Sequence, residues 1–199
     1  VFFNPMKYEA LSKIALATGA DYARDPEHYD PEQSWQQAVR KQYGPLAKDM
    51  ALFAAGSRHL ENDWASIGLA DDPDFAATAE RLLESWPDGA GAKEAHAALL
   101  AMADARAKAA GRLLKELPPE QLKACRPQLE QTVRLASASR TALMLLQVQQ
   151  AVAKDGGRHE RSLRDKLQRE LTAIDQHEAE AEVSEKAMGA FVRNVARRR

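Results

Sequence analysis

The amino-acid sequence predicts an all-α protein, a multi-helix bundle with short N-terminal helices and a long three-helix antiparallel stalk. Three observations predict it. The strong helix formers Ala, Leu, Glu, Gln, Lys and Arg dominate, whereas Val and Ile are sparse. Apolar residues recur three or four apart along most of the chain, and no strand-like alternation follows the first three residues. Proline, glycine and aspartate stand where helices begin and end.

The first helix is predicted from about Pro5 to Arg24. Proline suits a first helical position, where its missing N–H is no loss. Leu11, Ile14, Ala15, Thr18 and Tyr22 form its stripe. RDPEHYDPEQSW breaks it with two Asp-Pro turn signals. Asp30 then caps a second helix, with Pro31 first and Gln33 at capping-box spacing. Trp35 and Val39 face inward, and Gly44 stops the helix. Pro45 opens a third, to about Asn62, with Leu46, Leu52, Phe53 and Leu60 as core.

Asp72 and Pro73 start a short fourth helix whose apolar side is Phe75, Leu82, Leu83 and Trp86; PDGAG ends it. The fifth spans about Ala92 to Leu117, where Pro118-Pro119 is a hard stop. Its alanines, with Leu99, Met102, Leu113 and Leu114, suit close helix packing. The sixth runs from about Pro119 to Lys154, with a kink or break expected at Pro127. Leu129, Val133, Ala136, Leu143, Leu146 and Val152 are its buried side. After Asp155-Gly156-Gly157 the last helix is predicted as one piece, about His159 to Val195. Leu163, Leu167, Leu171, Ile174, Ala181, Met188, Phe191 and Val195 form a near-heptad seam, facing a neighbouring helix or a second subunit. A subdomain boundary is expected near residue 88, giving 1–88 and 89–199.

Composition narrows the function. A formal net charge of -1 gives no global attraction to nucleic acid or anionic membrane, and neither is expected as a partner. The Arg197-Arg198-Arg199 tail reads as solvated. No run of ~18 apolar residues is present. The single cysteine, Cys125, cannot form an internal disulfide; Lys123 and Arg126 beside it favour a thiolate, but inert packing is the favoured reading.

The groupings that suggest chemistry have plainer readings. Asp71-Asp72 looks like an acid–base pair but precedes Pro73, so capping is favoured. His177 with Glu178, Glu180, Glu182 and Glu185 lacks a second histidine at ligand spacing, so a solvated face is favoured over a metal site. His59, Glu61 and Asp63 read as surface residues. No phosphate-loop, dinucleotide or nucleophile-elbow motif occurs. Core packing is favoured for Trp35 and Trp86. Trp64 lies in the polar stretch SRHLENDW and is a candidate for stacking on a sugar. No catalytic residue, metal ligand or cofactor is assigned.

One stretch carries more than composition. FFNPMKYEALSKIALATGADYARDPEHYDPEQSW resembles the segment leaving the catalytic barrel in family 84 glycoside hydrolases, the β-N-acetylglucosaminidases that include protein O-GlcNAcases and enzymes called hyaluronidases. The matching pieces, in order, are Asn4-Pro5-Met6, Ser12 to Leu16, Ala20-Asp21-Tyr22, Tyr29-Asp30-Pro31 and Ser34-Trp35. Lys7-Tyr8 and Arg24 depart from the pattern. Beyond about residue 70 only helical compatibility continues.

The resemblance implies a substrate-assisted, retaining reaction in the parent enzyme. The sugar's own acetamido oxygen attacks the anomeric carbon, helped by two neighbouring aspartates that precede Asn-Pro-Met on the barrel. Asp71-Asp72 stand after the match and do not fill that role. It also implies that Asn4 is a sugar-binding residue at the end of the last barrel strand, an amide able to donate and accept; within this chain alone it caps the helix at Pro5. Val1-Phe2-Phe3 read as the tail of that strand. The expectation is a non-catalytic C-terminal helical domain, bracing the barrel and dimerising through the long helices. Its partners are then the parent's catalytic barrel, a second copy of the chain, and an N-acetylglucosamine-containing glycan or glycoprotein reached through the parent. The alternatives are a stand-alone helical interaction module and a carbohydrate-binding helical domain using Trp64.

Overall fold

The computed structural model describes residues 9–55, 72–150, 157–181 and 186–198. Among them are eight α-helices: α1 (Glu9–Arg24), α2 (Pro31–Tyr43), α3 (Ala47–Ala55), α4 (Pro73–Ser85), α5 (Ala92–Glu116), α6 (Pro119–Gln150), α7 (Arg158–Ala181) and α8 (Lys186–Arg197). No strand occurs among the described residues.

The helix starts follow local chemistry. Asp30 caps α2 by accepting the Gln33 N–H at 2.9 Å, with Pro31 in the first turn. Asp72 caps α4 by accepting the Phe75 N–H at 3.0 Å. Each aspartate meets a donor that has no intrahelical partner. Gly44, at φ 51°, ends α2. That positive φ suits glycine alone among common residues. A 3₁₀ turn, Gly44–Leu46, then leads into α3, and the stripe of buried Leu46 continues four residues on. Met50 becomes the fully buried residue, while the predicted core residue Leu52 is 37% exposed. α5 ends at Leu117, whose extended backbone suits the residue before a proline.

α6 is the central helix and packs against α5, α7 and α8. It runs unbroken through Pro127, where a kink or break was expected. Its contacts fix the chain directions. His96 meets Leu143 and Asp104 meets Arg140, so α5 and α6 run antiparallel. Gln131 meets Ile174, Ser137 meets Glu170 and Gln149 meets Glu160, so α6 and α7 do too.

The last predicted helix is two helices. Arg193 Nη2 lies 2.6 Å from Asp175. In one straight helix residues 18 apart are separated by ~27 Å. α8 therefore turns back onto α4 and α6. The apolar seam is spent inside the chain: Leu163, Leu167, Leu171, Ile174, Met188, Phe191 and Val195 are all buried in one core. It faces neighbouring helices of the same chain, not a second copy.

Two apolar clusters divide the interior. One joins α4 with α5 to α8, around Phe75, Leu82, Leu99, Leu167 and Phe191. The other joins α1, α2 and α3 to the C-terminal end of α5 and the start of α6, around Val39, Met50, Leu113 and Leu129. α4 thus shares its core with the long helices, whereas the line expected near residue 88 runs between α4 and α5. α1 buries Ile14 but leaves Tyr22 half exposed, 50%, at the edge of its expected stripe.

Candidate functional site

Asn4 and Trp64, the two residues expected to touch a sugar, lie outside the described residues. So do Asp71, His59, Glu61 and Asp63, and the side chains of Glu178 to Glu185. The remaining candidates are placed.

Asp72 is a structural carboxylate. One oxygen caps α4 and the other pairs with the Arg106 guanidinium from α5. Both side chains are about nine-tenths buried, at 10% exposed for Arg106 and 12% for Asp72. The same guanidinium lies over the Phe75 ring, 5.4 Å from its centroid. His177 is bonded through Nδ1 to Ala173 O, 2.8 Å away on its own helix. Among the described residues no group of three or more His, Cys, Asp or Glu could hold a metal ion.

Cys125 is free and 2% exposed in the second cluster. Burial pushes its thiol up to about 11, outweighing the opposing pull of Arg126. Burial likewise pushes the Tyr43 phenol up to about 12. The chain favours the protonated form of both. Stability from these groups is therefore full below about pH 9, and is lost as pH rises through their folded-state values. Unfolding free energy should fall between about pH 9 and pH 12, and Cys125→Ala should flatten the first part of that fall. Denaturant titrations at stepped pH check this. The thiol should also resist an aromatic disulfide reagent at neutral pH until denaturant is added.

The family-like motif has a clear physical role. Ser34 Oγ donates to Asp21 at 2.7 Å, and Tyr22 meets Tyr29 edge-on with centroids 5.3 Å apart. Asp30 caps α2. Ala20-Asp21-Tyr22, Tyr29-Asp30-Pro31 and Ser34 thus close one corner between α1 and α2.

A cavity lies at the other end of the bundle. It is an open groove of about 430 Å³ lined by Trp86, Pro87, Leu146, Gln149, Gln150 and Arg198. Trp86 follows α4 and packs against the first cluster, as sequence predicts, but it also lines this groove. Its indole stacks on His96, with centroids 5.5 Å apart and planes 24° apart. His96 is buried and shares a hydrogen bond with Leu143 O at 3.2 Å. Sequence reading passed over this histidine. The available signal was its spacing, three before Leu99 and seven before Ala103, which puts it on the apolar face of α5. Arg198 donates to Leu83 O and so joins α8 to α4 beside the groove. Gln149 donates to Glu160 at 3.3 Å. Arg164, and then Gln149, hydrogen-bond that carboxyl and hold it below its ordinary range.

Fold and placed residues define an all-α helical domain organised on one central helix. The chain belongs to the hyaluronidase post-catalytic domain-like family, whose model matches residues 74–192. A β-N-acetylglucosaminidase model matches residues 1–55, ahead of it. Together they bear out the resemblance of residues 2–35 to the post-barrel region of family 84 glycoside hydrolases. Two solved structures share the fold. One is CpGH84B, with TM-score 0.76 and 22% identity over 96% of this chain and 32% of that one. The other is a mutant of the Thermobaculum terrenum O-GlcNAc hydrolase, with TM-score 0.71 and 19% identity over 97% of this chain and 39% of that one. The chain spans 32% and 39% of the length of these two chains.

Proposed function

We propose that this chain is the non-catalytic helical domain of a family 84-type β-N-acetylglucosaminidase and braces that enzyme's barrel. The observation that carries this reading is the order of the two family matches: the enzyme's own model over residues 1–55, then the post-catalytic model over 74–192. The placed carboxylates support it. Asp72 is committed to a cap and an ion pair, Glu160 to Arg164 and Gln149, and Glu170 Oε1 accepts from Ser137.

In this reading the parent removes terminal β-linked N-acetylglucosamine by the substrate-assisted, retaining route. Asn4 supplies an amide to the sugar from the end of the barrel. The α1–α2 corner, tied by Asp21 and Ser34, holds the connection to the barrel in one geometry. A homodimer through the long helices would have to form on their outer faces, since the seam is covered within the chain.

The 199-residue chain should give no turnover of an aryl β-N-acetylglucosaminide, while the same chain extended upstream through the barrel should. Turnover by the short chain that is abolished by a substitution within it would overturn the proposal.

A further inference from the structure

We propose that the groove at Trp86 binds a saccharide that presents N-acetylhexosamine. The lining carries the argument. The indole offers an apolar face with negative potential, and the axial C–H bonds of a pyranose offer a weakly positive one, so the two stack. His96 lies against the indole in a stacked arrangement and is itself tied to α6 through Leu143 O, so the platform is held before a ligand arrives. Gln149 and Gln150 both line the groove from the end of α6; Gln149 already donates from its amide to Glu160, so the exposed Gln150 is the carboxamide offered to a ligand. Neighbouring sugar hydroxyls both donate and accept, and a carboxamide does both from one plane. Pro87, exposed above the buried Leu146, supplies the small apolar surface that an acetamido methyl needs.

The same lining disfavours other ligands. A phosphate or nucleotide calls for several cations, and among the described lining residues only Arg198 is one, with part of its guanidinium spent on Leu83 O. An apolar peptide segment calls for a wider hydrophobic surface than Leu146, Pro87 and one indole provide. Among the described residues the groove is lined by no carboxylate, and the proposal is binding alone. The cavity of about 430 Å³ falls within the ~300–1,000 Å³ usual for small-ligand sites. It accommodates a short oligosaccharide end rather than a long chain.

This inference rests on the function proposed above only for its choice of sugar. The test is titration of the 199-residue chain with an N-acetylglucosamine trimer, followed by tryptophan fluorescence and calorimetry. Saturable binding is expected. Gln150→Ala and Arg198→Met should each weaken it about fivefold, the size of one hydrogen bond. Trp86→Leu should abolish it. Gln150 is exposed, so its variant reports on binding even where the Trp86 variant loses its fold, which circular dichroism reads independently. Absence of saturable binding overturns the inference, as does binding that Gln150→Ala and Arg198→Met leave unchanged. Neither result touches the activity of the barrel-extended chain, so failure here and failure of the functional proposal are read separately.

Discussion

Replacing Asp72 by alanine should lower the unfolding free energy by about 3–5 kcal/mol. Two losses combine. The Phe75 N–H at the start of α4 loses its acceptor, a cap commonly worth ~1 kcal/mol. Arg106, 10% exposed, loses its counter-charge and is left in a site with little water to compensate it. The larger part should come from the second loss. A double variant, Asp72→Asn with Arg106→Met, tests this directly. The asparagine retains a capping oxygen, and the methionine keeps apolar contact with the Phe75 ring. It should recover more than half of the stability lost in Asp72→Ala. Urea unfolding with linear extrapolation measures both. A loss under about 1 kcal/mol for Asp72→Ala would show that water screens the pair as it does on an open surface.

Phe191→Ala should cost about 3–5 kcal/mol, and the damage should be focused on α8. Phe191 is 1% exposed and meets Phe75 edge-on at 6.0 Å. It is the largest side chain that α8 contributes to the first cluster. Its removal leaves a cavity between α8, α4 and α6 and loses an aromatic pair contact. Hydrogen exchange should speed up first in residues 186–197, because a short terminal helix opens with less loss of contact than α6 does. Tyr22→Ala, by contrast, removes a half-exposed ring and should change stability by less than about 0.5 kcal/mol. Equal costs for the two substitutions would contradict the packing described here.

Much of this architecture is written locally. Asp30-Pro31 and Asp72-Pro73 specify helix starts within four residues, because a cap needs only one side-chain oxygen and a nearby orphan N–H. Leu117-Pro118 specifies a stop, since the residue before proline avoids helical backbone. The long apolar stripe of α7 was legible because each buried residue repeats the spacing of the one before it. The family motif was legible for a related reason: Asp21, Tyr22, Tyr29 and Ser34 are close in sequence and meet each other in one corner.

Other features depend on contacts between distant segments. No proline or glycine stands between Ala181 and Lys186, and the apolar spacing continues across that stretch. Nothing local therefore announces that α8 turns back; the reward for turning lies in Phe75, over a hundred residues earlier. Trp86 read as core, and it does pack there, but only the arrival of α6 and Arg198 makes a groove beside it. His96 gave no chemical signal, because its partner Leu143 O is 47 residues away.

The sequence by itself determined the all-α class, most helix boundaries, the apolar seam and the family likeness of the first thirty-five residues. These depend on propensity, capping and periodicity, which act over a few residues. The tertiary structure decided that the seam closes on its own chain, that Asp72 serves Arg106, and that Trp86 fronts a cavity. Each of those depends on which helix lies alongside which, and that is set by burial summed over the whole core.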